Sequence, residues 1–227
     1  MKRKSCAAVI VAAGNAARMQ GIDKTVTPIC GVPMILRTVR ALAASEKIDE
    51  IIVVTREDLI EPICTLCSQE AKFRTAVCGG ETRSDSVLRG LCAVQTELAA
   101  IHDGARPFVT AQVIDTAIDA AEKYGAAAPA IAVRDTIKVA QNRRITATPE
   151  RSTLYAVQTP QVFVREEILA ALQTAMRQGL LLTDDCSAME AVGKRVVLTE
   201  GSDENIKITT PIDLCFGEAI IKWRGMP

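Results

Sequence analysis

The sequence predicts a Rossmann-like, doubly wound α/β fold: a mostly parallel sheet with helices on both faces and an extended β-arm. Short β-branched or alanine-rich runs alternate with amphipathic helical segments along most of the chain, the order that right-handed strand–helix–strand units produce. Hydrophobic residues make up 48% of the 227 positions and aromatics only 3%, so the core must be built from Ala, Val, Ile and Leu, as in sheets buried on both faces. The length is ample to bury such a core without staples.

The elements follow in order. The apolar run Ala7 to Ala13 ends in Gly14 and reads as a strand and loop, followed by a helical pattern through Met34, Val39 and Leu42. Ile51-Ile52-Val53-Val54 is a second strand, with a helix near Asp58 to Cys67 and a third strand near Arg74 to Cys78. Ser84 is placed to cap a helix whose Val87, Leu91 and Val94 share one face. Ala99 to His102 is a short strand. Thr110 to Tyr124 is a strongly periodic helix that Gly125 ends, and Ala126 to Val133 is the next buried strand.

From Arg134 to Ala156 polar and β-branched residues alternate, with Asn142-Arg143 at a turn, which predicts a hairpin leaving the main body. Helical signals resume at Arg165 to Gln178, Asp184 to Val192 and Pro211 to Trp223, with a strand at Arg195 to Thr199. Thr210-Pro211 is a good helix start, because threonine caps and proline fits the first helical position.

Lys plus Arg and Asp plus Glu both number 27, so no overall charge excess draws the chain to nucleic acid or to an anionic membrane. Its apolar stretches fall far short of the roughly 20 residues a membrane helix needs. The apolar segment after Met1-Lys2-Arg3-Lys4 reaches Gly14 and Asn15 too soon for a signal peptide. A cytoplasmic location is expected. Among the 8 cysteines, Cys6, Cys30, Cys78, Cys92 and Cys215 sit in apolar patterns and are expected to be buried free thiols. Cys64 and Cys67 form a single C-x-x-C without a second pair, weak grounds for zinc or redox chemistry.

Ligands of such sheets bind beyond the carboxyl ends of the strands, and three loops there carry charge. In Ala12-Ala13-Gly14-Asn15-Ala16-Ala17-Arg18-Met19, with Lys24 beyond, Gly14 lets backbone N–H groups point at an anion that Arg18 and Lys24 can meet. The loop is neither G-x-G-x-x-G nor a P-loop, and a solvated loop would explain it equally well. Gly79-Gly80-Glu81-Thr82-Arg83-Ser84-Asp85-Ser86 permits close backbone approach, or is simply a turn and cap. In His102-Asp103-Gly104-Ala105-Arg106-Pro107, Asp103 suits a metal ion or a ribose hydroxyl and Arg106 a phosphate, while an Asp–Arg pair stabilising the loop is the plainer alternative. His102, the lone histidine, reads as a satisfied core residue rather than a general base.

The order of motifs is more specific than any one of them. AAGNAARM, GGETRSDSV, HDGARP, RDTIK, AVQTPQVF, LTDD and NIKITTPIDL, spread from about Ala7 to Ile221, give a chain that resembles the 2-C-methyl-D-erythritol 4-phosphate cytidylyltransferases of the non-mevalonate isoprenoid pathway. The resemblance implies that CTP and methylerythritol phosphate are joined with release of pyrophosphate, with Mg²⁺ or another divalent cation. It implies that the chain 1–227 is a single nucleotidyltransferase domain with 134–156 as a protruding arm.

By motif position, Arg18 and Lys24 resemble the residues that stabilise the transition state at the α-phosphate, and Lys207 the lysine that positions the acceptor phosphate. Ala12, Ala13, Gly14, Gly80 and Ser86 match positions lining the cytidine, and Gly104 borders the nucleotide. Asp103, Arg106 and Thr136 match acceptor-binding positions. Asp103 is also the candidate protein ligand of a metal held mainly by the CTP phosphates. Thr159 and Arg151 match further acceptor contacts, with Arg151 supplied by the arm of the neighbouring subunit, so the resemblance implies a homodimer with shared sites.

Three positions depart from the family pattern. Ala16 replaces a second glycine, Asp23-Lys24-Thr25 replaces Pro-Lys-Gln one residue closer to Arg18, and Gly104 replaces a frequent alanine. Two other readings remain open on the residues: a sister enzyme acting on ribitol 5-phosphate or a similar polyol phosphate, and, more distantly, a dinucleotide-binding oxidoreductase.

Overall fold

The computed structural model describes residues 3–14 and 25–225. Their strands build an eight-stranded sheet. In chain order they are β1 (Cys6–Val11), β4 (Glu50–Thr55), β5 (Phe73–Cys78), β6 (Leu98–Asp103), β7 (Ala126–Ala132), β10 (Tyr155–Val157), β11 (Gln161–Val164) and β12 (Val197–Glu200). Two two-stranded ribbons stand apart, β2 (Pro28–Ile29) with β3 (Val32–Pro33) and β8 (Val139–Gln141) with β9 (Arg144–Ala147). The sheet order is β10-β7-β11-β6-β1-β4-β5, with β12 on β7. The pairs β1–β4, β1–β6, β4–β5 and β7–β12 are parallel, whereas β11 and β10 run against their neighbours. The mostly parallel, doubly wound fold is as expected.

Strand alternation divides the core between the two faces. Ala8 and Ile10 of β1 face one way, with Ile51 and Val53 of β4, against α1 (Met34–Ala43), α2 (Ile60–Cys67) and α4 (Ala111–Tyr124). Ala7 and Val9 face the other way, with Ile52 and Val54, against α3 (Arg83–Cys92), α5 (Arg165–Arg177) and α6 (Asp185–Ala191). A third, smaller cluster joins Ile29, Met34, Ala105, Phe108 and Ile208 to α7 (Pro211–Trp223) through Ile221. It sits beneath the segment that delivers Lys207.

Helix α3 meets the sheet at Gly90, where there is no room for a side chain. A Cβ there would stand 2.4 Å from Val9 Cγ1 and 2.7 Å from Val54 Cγ2. Both neighbours are β-branched and fully buried, so neither can turn aside. Alanine should therefore destabilise the fold by about 1–3 kcal/mol through overpacking, more than the ~1 kcal/mol that its better helix propensity returns. A Gly90→Ala chain whose denaturant midpoint equals the parent's would contradict this packing.

Several local expectations change. The α3 cap is Thr82 rather than Ser84: Thr82 Oγ1 accepts from Asp85 N, and Asp85 Oδ2 accepts from Thr82 N, so the box starts two residues earlier. Thr210 caps α7 and Gly125 closes α4, with φ 89°, as expected, while Thr110 proves to be the cap of α4 rather than its first helical residue. Asn142 and Arg143, at φ 49° and 61°, form the hairpin turn. The arm stops short of residue 156, because Tyr155 and Ala156 belong to β10 and pair with Ala132 and Ile131 of the main sheet. An alternating pattern fits an edge strand as well as a hairpin strand. Of the cysteines expected to be buried, only Cys6 is fully so; Cys78 is half-buried, and Cys30, Cys92 and Cys215 are exposed. Hydropathy alone did not fix their faces. All eight thiols are free.

Candidate active site

A cleft of about 480 Å³ opens beyond the carboxyl ends of β1, β4, β5 and β6, where a parallel sheet's loops diverge. The loop after β1 contributes Ala12, Ala13 and Gly14, the β5–α3 loop contributes Gly80 and the start of α3 Ser86, and β6 ends in Asp103 with Gly104 just after it. Lys207 reaches in from the segment before α7. These eight sequence-predicted residues meet in one cavity. Arg18 and Lys24 lie outside the described residues.

Backbone bonds fix the walls. Ala12 N donates to Val54 O at 2.7 Å, Gly79 N to Thr55 O at 2.7 Å and Gly104 N to Val11 O at 2.9 Å, so the loops are tied strand to strand. Ser86 Oγ accepts from Gly80 N at 3.1 Å and donates to Thr82 O at 3.0 Å, bracing the glycine turn from inside. Glycine at 104 also has a steric reason, since a Cβ there would lie 2.9 Å from Ala12 Cβ and 3.2 Å from Val11 O.

Asp103 is the electrostatic centre. Its carboxylate lies 2.7 Å from Lys207 Nζ and 3.6 Å from both Arg83 Nη2 and Arg106 Nε. Burial alone would raise its pKa, but Lys207, Arg83 and Arg106 outweigh that and hold it down to about 2. It is therefore ionised at any working pH. Arg106 does not line the cleft; its Nη1 donates to Asn205 O at 2.6 Å and thereby anchors the Lys207 segment.

His102 is fully buried, as a satisfied core residue should be. Its Nε2 lies 3.0 Å from Arg106 O and its Nδ1 3.0 Å from Thr159 Oγ1. A carbonyl only accepts, so Nε2 carries the hydrogen and Nδ1 accepts from the hydroxyl. Thr159 Oγ1 in turn accepts from Asp103 N at 3.1 Å. The Thr159 hydroxyl is thus engaged inward, in the bonds that set Asp103. Burial pushes His102 down to about 4, which removes it as a base.

Buried amides hold the Lys207 segment. Gln158 Oε1 accepts from Ser202 N at 3.1 Å and from Asn205 Nδ2 at 3.3 Å, Asn205 Nδ2 also donates to Thr159 O at 2.9 Å, and Ile208 N bonds Ala105 O at 2.8 Å. Thr136 and Arg151 are exposed on the arm side and do not line this cleft. Arg151 Nη1 donates to Arg134 O at 3.1 Å.

Sequence reasoning gave no role to Arg83, Thr55 or Arg56, which also line the cleft, nor to Gln158, Gln161, Asp185 and Asn205 behind it. All but Thr55 and Arg56 lie inside or beside the quoted motifs GGETRSDSV, AVQTPQVF, LTDD and NIKITTPIDL. Their place within ordered motifs was the available signal. Among the described residues no group of three His, Cys, Asp or Glu side chains could hold a metal by itself, and no helix is long and apolar enough to cross a membrane.

The sheet order and this cation-lined cleft define a nucleotidyltransferase of the α/β class. The profile of the 2-C-methyl-D-erythritol 4-phosphate cytidylyltransferase family matches residues 6–223, and the chain belongs to that family. It is 44% identical to the 2-C-methyl-D-erythritol 4-phosphate cytidylyltransferase of Caldanaerobacter subterraneus subsp. tengcongensis, over 95% of this chain and 98% of the relative. The enzyme of that name from Geobacillus kaustophilus is 41% identical, over 96% and 97%. Among solved structures, the 4-diphosphocytidyl-2C-methyl-D-erythritol synthase of Anaerococcus prevotii superposes with a TM-score of 0.87 at 31% identity, covering 96% of each chain. The 2-C-methyl-D-erythritol 4-phosphate cytidylyltransferase of Thermus thermophilus gives 0.79 at 31% identity, covering 94% of this chain and 98% of that one.

Proposed function

We propose that this chain transfers the cytidylyl group of CTP to 2-C-methyl-D-erythritol 4-phosphate. An acceptor phosphate oxygen forms the new bond to the α-phosphorus, the bond from that phosphorus to the bridging oxygen breaks, and pyrophosphate leaves. The attacker is already ionised, so no strong base is needed and the work is alignment and charge neutralisation. The observation that carries this reading is the convergence of Lys207, Arg83 and Arg106 on Asp103 beside the backbone loops of β1 and β5.

Ala12, Ala13, Gly14, Gly80, Ser86 and Gly104 line the cytidine side, where backbone groups can read the pyrimidine edge. Lys207 holds the acceptor phosphate, and Arg106 and Thr159 set the position of Lys207 and Asp103. Arg18 and Lys24, beyond the described residues, act at the α-phosphate. The donor set suits a hard cation bound chiefly by phosphates, since among the described residues the cleft offers Asp103 and Glu81 as carboxylates and no cage of ligands. Asp103 would hold such an ion, Mg²⁺ for example, and the ion would neutralise charge on the triphosphate.

The working unit in this reading is a cytoplasmic homodimer of one-domain subunits joined by the arms. Exposed Ile137, Val139 and Ile145 suit the arm to packing against a second copy, and Thr136 and Arg151 then complete the neighbour's site. The test is a pyrophosphate-release screen of CTP, UTP, ATP and GTP against methylerythritol phosphate and ribitol 5-phosphate. CTP with methylerythritol phosphate should turn over fastest. Faster release with ribitol phosphate would transfer the assignment to the sister reaction, and tight NAD binding without CTP binding would end it.

A further inference from the structure

Arg83 enters the cleft from the first turn of α3 and is gripped from behind. Its Nη1 and Nη2 donate to Asp185 Oδ1 and Oδ2 at 2.9 and 2.7 Å. The Asp185 side chain is only 1% exposed, whereas that of Arg83 is 32% exposed and lines the cavity. Asp185 itself cannot drift. Gln161 Oε1 accepts from the N–H groups of Asp185 and Cys186, both at 3.1 Å, and Gln161 Nε2 donates to Asp184 Oδ2 at 2.8 Å. Asp184 caps α6 by accepting from Ser187 N at 2.9 Å. The grip is thus set by a central strand and a capped helix.

On its other side the same guanidinium faces Asp103, with Nη2 3.6 Å from Oδ1, beyond hydrogen-bond length. Two carboxylates compete for one cation, and the forked, two-bond geometry lets Asp185 win. Each terminal nitrogen spends one hydrogen on Asp185 and keeps another for a partner in the cleft. Without the Asp185 charge the nearest carboxylate is Asp103, which Lys207 already occupies at 2.7 Å. Arg83 would then collapse onto it, and its charge would be lost to an incoming anion.

We propose that Asp185 is a positioning residue that holds Arg83 off Asp103 and aims it at the β- and γ-phosphates of the nucleotide, and that Arg83 is a contact of those phosphates in the transfer reaction. This rests on the cytidylyl-transfer reading. The test is a cycle of Asp185→Asn, Arg83→Met and the double variant of the full chain. CTP and CMP affinities are measured by calorimetry without acceptor, alongside thermal midpoints.

Each single variant should weaken CTP binding on the order of tenfold and leave CMP binding nearly unchanged, because the lost contact is to phosphates that CMP lacks. Asp185→Asn should also lower the midpoint by leaving a part-buried guanidinium unpaired, and the double variant should regain it. CTP affinity of the double variant should nonetheless stay at the Arg83→Met level. Three results would overturn the proposal: CTP affinity recovering together with the midpoint, CTP and CMP affinities falling in step, or Asp185→Asn causing its full loss again when Arg83 is already gone. A parent chain that binds CTP but transfers to no polyol phosphate would sink the functional reading instead, and the binding cycle would still decide this one.

Discussion

Lys207→Met should lower turnover with saturating CTP by about 10²–10³-fold, the usual cost of one charge stabiliser in a phosphoryl-type transition state, while CTP affinity changes only about threefold. The side chain is 38% exposed and ends 2.7 Å from Asp103, so it packs little core and its loss should not unfold the chain. Its backbone is held independently, by Ile208 N on Ala105 O and Arg106 Nη1 on Asn205 O. Methionine removes the charge and keeps most of the stem. Retention of near-parental turnover would show that the lysine serves only to neutralise Asp103. The same variant probes the proposed shared site. Mixed with Arg151→Ala subunits, it should recover about a quarter of parental activity if the proposed homodimer shares its sites, since half the dimers would be mixed and one site of each complete. Recovery of nothing would place Arg151 in its own subunit's site, and an Arg151→Ala chain as active as the parent would place it in none.

How much of this could be read from the chain depended on whether a residue acts through local pattern or through distant contact. Strands such as Ile51-Ile52-Val53-Val54 and the helix through Val113, Ile114, Ala117, Ile118 and Ala121 declare themselves by periodicity, and the structure places them as expected. The strand Gln161–Val164 did not. It is four residues long, follows a proline and opens on a glutamine, yet it is central because it bridges β6 and β7. Its Gln161 is 2% exposed only because an amide was needed to hold Asp184 and Asp185. The same holds at the site. Gly14, Gly80 and Asp103 were visible as loop residues after strands, whereas Arg83 and Asp185 lie 102 residues apart and meet only in the fold. Exposure of Cys92 and Cys215 was illegible for a related reason: a hydropathy window does not distinguish the last turn or outer face of a helix from its buried face.

The histidine at the end of β6 gives the clearest link between site architecture and solution conditions. His102 is the only histidine of the chain, and in the fold its neutral form is the one the surroundings accept: Nε2–H to a carbonyl, Nδ1 to a hydroxyl. Asp103 and Arg106, the charged groups beside it, act in opposite directions, and burial dominates, holding it near 4 against an ordinary 6.5. The unfolded chain therefore binds the extra proton throughout the interval between those values. Stability is at its full level above pH 6.5 and declines as pH falls toward 4, by about 2–3 kcal/mol at pH 4.5. Asp103, held near 2, adds its own loss only at lower pH. In denaturant titrations at pH 7 and pH 4.5, the parent should lose about 2–3 kcal/mol more than a His102→Asn chain. Carboxylates titrate in both chains, so the difference isolates the imidazole. Equal losses would mean that the ring is protonated in the fold, and that the Asp103 N–H to Thr159 to His102 chain of hydrogen bonds does not set the aspartate on which the cations of the cleft converge.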